Sequence, residues 1–139
     1  MPKSARRNKV KWGFTITITV YINALECSMT ESEFLALAEA TLSDIERLLE
    51  SAADAVDLDI ECSRAGNVLE IELIDTGAKI IVNSQAPMQE IWVAARSGGF
   101  HYKRVDNRWV DTRGSEELFA ALGRLVSEQA GCAIRLVPA

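Results

Sequence analysis

The apolar and polar positions divide the chain into a helix, a run of alternating segments and a second helix. Phe34, Leu37, Ala38, Thr41, Ile45, Leu48, Leu49 and Ala52 recur at helical spacing and form one face to bury. Ahead of them Thr30-x-x-Glu33 is a capping box: the hydroxyl bonds an amide of the first turn while the carboxylate reaches back to the cap. The spacing predicts a first helix over Ser32–Ala53. Asp57, Asp59 and Glu61 then alternate with Leu58, Ile60 and Cys62, which predicts a strand with acids on one face and apolar side chains on the other.

Further alternating segments follow at Val68–Ile74, Ala78–Asn83, Glu90–Arg96, Phe100–Val105 and Arg108–Asp111. Turn signals separate them at Arg64–Asn67, Asp75–Gly77, Gly98–Gly99 and Asp106–Asn107. Pro87 cannot sit inside a central strand, so Gln85–Pro87 interrupts the ladder. Ser115 is a suitable N-cap for a second helix carrying Leu118, Phe119, Leu122, Leu125 and Val126 on one face, and Gly131 ends it. Cys132–Val137 reads as an extended tail able to cover the gap between the helices. The order predicts an α+β two-layer sandwich: an antiparallel sheet of about six strands with two helices packed on one face, the other face partly open to solvent.

Length and composition leave this picture in place: 139 residues suffice for one domain with a core that needs no staples. Charge changes it. The net charge of −5 is not spread evenly, because residues 31–61 hold ten acids and only one base, Arg47. Residues 62–139 hold nine acids and nine bases, and residues 1–29 are net basic. An acidic chain is a poor partner for duplex nucleic acid, and no apolar run approaches the roughly 20 residues of a membrane span. Cys27, Cys62 and Cys132 are widely spaced and odd in number. That disfavours a disulfide framework or a thiolate zinc site and suits a reducing, cytoplasmic location.

Residues 1–28 are expected to be an extension outside the domain, with Met29 as an alternative start. A secretory reading is disfavoured, because Thr residues interrupt the apolar stretch and Glu26 stands where a small residue is wanted. If ordered, Thr15–Ile22 alternates as a strand able to pair with a sheet edge.

The acid-rich stretch is the first candidate site. Glu39, Glu46 and Glu50 fall on one narrow solvent-side row of the helix. An ordinary surface helix mixes lysines with its glutamates; this one forgoes nearly all such pairs, so the repulsion has a purpose in binding cations or a basic partner. Carboxylates are hard ligands suited to iron and to other divalent cations. The Asp57-x-Asp59-x-Glu61 run is not a calcium loop, since Cys62 replaces the required Gly and Val68 the closing Glu. Acids spaced along a helix and strand offer weak, multiple, open sites. His101 is the single histidine and reads as an exposed or locally bonded sheet residue, with a partner contact or second metal site as the alternative. If Ile91 and Val93 face the helices, Trp92 faces outward among Asn83, Gln85 and Arg96 as a docking candidate. Trp109 and Cys62 read as core. No phosphate-loop or dinucleotide pattern is present.

One further run is specific: Asn83-Ser-Gln85-Ala-Pro87-Met-Gln-Glu-Ile91-Trp92, then Gly98-Gly99-Phe-His-Tyr, Trp109 and Asp111-x-Arg-Gly-Ser115-Glu. With the acid-rich helix before it, Met29–Val137 resembles the bacterial frataxin family. The resemblance implies an iron-binding accessory or regulatory protein of iron–sulfur cluster assembly, not an enzyme in the strict sense. It implies weak binding of Fe2+ and Fe3+ by Glu31, Asp44, Glu46, Glu50, Asp57, Asp59 and Glu61, to which the helix row adds Glu39. It also implies contact with the cysteine desulfurase and its scaffold protein through a sheet surface holding Asn83 and Trp92. The expected state is a monomer, with metal-dependent oligomers as the exception. Leu35 stands where several bacterial relatives have a His, which argues against a mixed His–carboxylate site there. Two alternatives stand beside this reading: an acidic interaction module without metal, and a ferroxidase or iron-storage protein, which would need inward carboxylates in Glu-x-x-His pairs that the chain lacks.

Overall fold

A computed structural model of the chain describes residues 29–138; the N-terminal extension with its Thr15–Ile22 alternation and Cys27 lies outside the described residues. The first helix, α1, spans Glu31–Ala55 and buries Phe34, Ala38, Thr41, Leu42, Ile45, Leu49 and Ala53; the expected face is turned toward Leu42 and Ala53, and Leu37, Leu48 and Ala52 are half-buried at its edge. Its end differs from expectation. Leu58 N–H bonds Ala53 O at 2.9 Å and Asp57 N–H bonds Asp54 O at 3.3 Å, with Asp57 left-handed at φ 57°. That is a Schellman ending, with Asp in the place that usually takes Gly.

Six strands follow: β1 (Ile60–Ala65), β2 (Val68–Leu73), β3 (Ala78–Gln85), β4 (Glu90–Ala95), β5 (Gly98–Val105) and β6 (Arg108–Asp111). They form one antiparallel sheet in sequence order. The element order and the sheet therefore agree with the expected α+β sandwich. A short 3-10 turn, Ala86–Met88, takes Pro87 out of the ladder between β3 and β4. The β4–β5 turn is Arg96-Ser97 and not Gly98-Gly99, because Ala95 pairs with Gly98 and both glycines belong to β5. Asp106 and Asn107, at φ 50° and 64°, close the β5–β6 hairpin with the two left-handed residues of a type I′ turn.

Alternation along the strands decides which side is core. Leu69, Ile71, Leu73, Ile80, Val82, Ile91, Val93, Tyr102 and Trp109 are buried on the helix side. Trp109 meets Phe34 of α1 edge-on at 6.0 Å, and its indole N–H donates to Thr41 Oγ1 at 3.0 Å. The second helix, α2, spans Leu118–Ala130. Its cap is Glu117 and not Ser115: the Glu117 carboxylate accepts from the amides of Phe119 and Ala120. Beyond Gly131 the tail lays Ile134 and Leu136 into the core. The tail reaches α2 at Gly123, where a β-carbon would stand 3.1 Å from the Ile134 carbonyl.

Candidate functional site

Two surfaces carry the candidate residues. The first is the acidic edge, where α1 runs over β1. Cys62 and Arg64 of β1 point toward the helix, since they oppose the fully buried Ile71 and Leu69. Arg64 lies under the helix row and engages two of its three acids, donating to Glu46 Oε1 at 2.9 Å and to the Glu39 carboxylate. Burial of this guanidinium works against its charge, but the bonds from Glu46 and Glu39 outweigh it and raise its pKa. The expectation of a helix without countercharge is corrected here: the base arrives from a strand 18 residues beyond Glu46. The third acid of the row, Glu50, lies near Cys62. Burial first, then Glu50 and Glu46, push that thiol up to about 11, so Cys62 is a poor nucleophile and a poor ligand at neutral pH.

The other acids disperse. Asp44 lies about 140° round the helix from the Glu39–Glu46–Glu50 row. It pairs with Arg47 at 3.2 Å and lines a cleft beside Trp109. Glu31 stands in the first turn of α1, about 28 Å along the axis from Glu50. Asp57 and Asp59 precede β1 and do not belong to it, Asp57 sitting in the left-handed helix ending. Only Glu61 is on the strand; it faces the open side of the sheet directly opposite Glu72. The predicted strand face carrying all three acids therefore does not form. Glu50, Asp54, Asp57, Asp59 and Glu61 make no ion pair among the described residues. Nor do any three or more His, Cys, Asp or Glu side chains among them gather to hold a metal ion. The acidic edge is an open, partly compensated charge field.

The second surface is the open face of the sheet over β3, β4 and β5. Asn83, Trp92 and His101 stand side by side on one rung, and Gln85, Glu90 and Lys103 on the next. The Trp92 ring stacks on His101 at 4.3 Å with 7° between planes. Its indole N–H donates to Glu90 Oε1 at 2.7 Å. His101 Nδ1 lies 3.5 Å and Lys103 Nζ 3.8 Å from the same carboxylate. Gln85 donates to Asn83 Oδ1 at 2.6 Å. Trp92 is thus half-buried and held flat, where the sequence pattern suggests a freely exposed ring. Arg96 lies in the turn past the Ala95–Gly98 pair and joins none of these contacts. The sequence reading misses Glu90, which is 4 % exposed although it sits on the open side. A carboxylate that deeply covered requires partners, and here the neighbouring Trp92, His101 and Lys103 supply them. The sequence signal for it was its place two residues before Trp92, on the same face of the strand.

Among the described residues no helix is long and apolar enough to cross a membrane. Cys62 and Cys132 are not disulfide-bonded.

Residues 27–132 match the model of the frataxin-like domain. The chain is 65% identical over 108 residues to the iron–sulfur cluster assembly protein CyaY of Janthinobacterium sp. (strain Marseille), covering 78% of this chain and 96% of that protein. It is 63% identical over 109 residues to the protein of the same name from Ralstonia nicotianae, covering 78% and 96%. Among solved structures, frataxin from Psychromonas ingrahamii superposes with a TM-score of 0.70 at 27% identity, covering 78% of this chain and 99% of that one. Trimeric frataxin from Saccharomyces cerevisiae, complexed with ferrous iron, superposes with a TM-score of 0.59 at 23% identity, covering 75% and 88%, a likeness of fold.

Proposed function

The chain belongs to the frataxin-like family, and on that premise we propose that it is an accessory and regulatory protein of iron–sulfur cluster assembly. In this reading it acts in the cytoplasm without being an enzyme, binds Fe2+ or Fe3+ weakly on the acidic edge, and docks on the cysteine desulfurase and its scaffold. The observation that carries the reading is identity of 65% along 96% of a protein named for cluster assembly. The geometry supports the division of labour. Hard, water-exposed carboxylates that gather no closed ligand set suit transient cation binding. A flat indole held at the open face, ringed by Asn83, Gln85 and His101, suits a contact hot spot.

The test is a cluster-assembly assay with desulfurase and scaffold. Asp57/Asp59/Glu61→Ala and Trp92→Ala are each expected to change the rate of cluster formation relative to wild type; unchanged rates in both would defeat the reading. One observation favours a second reading, an acidic interaction module without metal: Arg64 already engages Glu46 and Glu39, two of the acids of the edge. Anaerobic Fe2+ titration followed by amide shifts separates the two. Shifts confined to α1 and the Asp57–Glu61 segment support iron binding; their absence supports the metal-free module. A ferroxidase ranks last, and rapid saturable Fe2+ oxidation with matching oxygen uptake would restore it.

A further inference from the structure

On the flank of α1 away from the Glu39–Glu46 row lies a cleft of about 340 Å3. Trp109 and Phe119 line its base, and Leu37, Ala40 and Pro138 give it apolar walls. Arg104 and Arg108, from the two arms of the β5–β6 hairpin, both line it. The type I′ turn at Asp106–Asn107 fixes the spacing of those arms. Arg104 lies 5.4 Å over the Trp109 ring. Burial lowers its pKa, which the nearby Glu117 only partly offsets.

Charge pairing and position together set these two arginines apart. Arg47, Arg64 and Arg124 each sit in an ion pair, whereas Arg96, Arg104, Arg108, Arg113 and Arg135 form none among the described residues, and of these five only Arg104 and Arg108 line the cleft. The two carboxylates lining the cleft are already engaged. Asp44 is held by Arg47 at 3.2 Å. Glu117 accepts the amides of Phe119 and Ala120 at 3.1 and 3.3 Å. The cleft therefore sets two arginines without ion pairs beside an aromatic surface, with the Glu117 carboxylate acting on Arg104 from nearby.

We propose that this cleft is a binding site for a small organic oxyanion, a carboxylate or phosphate group carried on an apolar body. The guanidinium fork matches the oxygens of either group. The apolar walls take the body, and the volume falls within the roughly 300–1,000 Å3 of small-molecule pockets. The site lies apart from the Glu39–Glu46–Glu50 row and from the Trp92 face, sharing only Asp44 with the acids that the resemblance implies for iron, and its test does not involve cluster formation.

The test follows the indole N–H resonances of Trp109 and Trp92 while phenyl phosphate, phenylacetate, inorganic phosphate or sodium chloride is added at matched ionic strength. The Trp109 signal is expected to move saturably with phenyl phosphate or phenylacetate, the tighter of the two identifying the headgroup, while Trp92 stays in place. Inorganic phosphate, lacking the body, is expected to bind about tenfold more weakly. Arg108→Gln, at an exposed hairpin position, is expected to weaken binding about tenfold. Arg104→Gln/Arg108→Gln is expected to abolish it, and should that variant fail to fold, Arg108→Gln alone decides. A Trp109 signal unmoved by both aromatic anions at about 10 mM, a range set by the weakest useful affinities, overturns the proposal. So does an equal response to chloride, or unchanged affinity in Arg108→Gln. Inorganic phosphate binding as tightly as phenyl phosphate removes the apolar-body part of it.

Discussion

The acidic edge and the Trp92 cluster use charge in opposite ways. On the edge, Glu50, Asp54, Asp57, Asp59 and Glu61 stand in water without ion-pair partners among the described residues, on three different backbone settings. Around Trp92 a single carboxylate, Glu90, is 4 % exposed and serves the indole, His101 and Lys103 at once. The edge has a field without fixed geometry; the cluster has fixed geometry with little net field. A field steers and is screened by salt, whereas a preorganised ring binds through burial and contact. The two surfaces should therefore fail differently when altered.

The largest expected effect is at the ring. Trp92→Ala is expected to weaken binding to the desulfurase–scaffold complex by about 30-fold, the loss typical of a central aromatic contact, without changing its salt dependence. Binding measured at several salt concentrations checks both halves of that statement. Loss of salt dependence on removing the ring would merge the two surfaces and break the comparison.

Next is the clamp within the edge. Arg64→Gln is expected to lower stability by about 1 kcal/mol, mainly through Glu46, because the Glu39 side chain is 62% exposed and its share is screened. The same change frees Glu39 and Glu46, so Fe2+ is expected to shift α1 amides at lower concentration than in wild type. Urea unfolding and the iron titration read these out. Weaker iron binding in this variant would show that Arg64 organises the acids instead of neutralising them.

A smaller effect is expected from Asp57→Asn/Asp59→Asn/Glu61→Gln. It should slow association with the partner complex several-fold at low salt and make little difference near 1 M salt, where the screening length is about 3 Å. Stopped-flow association rates check it.

The smallest concerns Cys62. Burial and the carboxylates of Glu50 and Glu46 hold its folded pKa at about 11, above the ordinary thiol value of 9.0. The folded state therefore holds the proton more tightly, and stability attached to the thiol is full below about pH 9 and lost as pH rises through about 11. Alkylation of Cys62 by iodoacetamide is expected to be negligible at pH 8 and to rise steeply only as the pH approaches about 11, where the thiol ionises. Fast labelling at pH 8 would show that the edge opens locally.

These surfaces were legible in the sequence to different degrees. The buried face of α1 followed from its 3.6-residue period, and the sheet from period-two alternation broken by turn residues. The outward direction of Trp92 followed from the inward direction of Ile91 and Val93. Even the separation of Asp44 from the Glu39 row is contained in the 100° advance per helical residue, and a wheel drawn with care would have found it. The break of the Asp57–Glu61 run was harder. Alternation described it well, but the helix ending captured Asp57 in a left-handed conformation, because orphan carbonyls at a helix end need partners.

By itself, then, the sequence determined the layers, the strand order and which face of each element is buried, since these depend on local periodicity and on residues near one another in the chain. Only the tertiary structure decided which polar side chains meet. Arg64 reaches Glu39 across 25 residues, and Trp109 reaches Thr41 across 68. Glu90 is held by Trp92 on its own strand and by Lys103 on the next. Such pairings depend on distances between elements, and a pattern with a period of two or 3.6 residues carries no information about them.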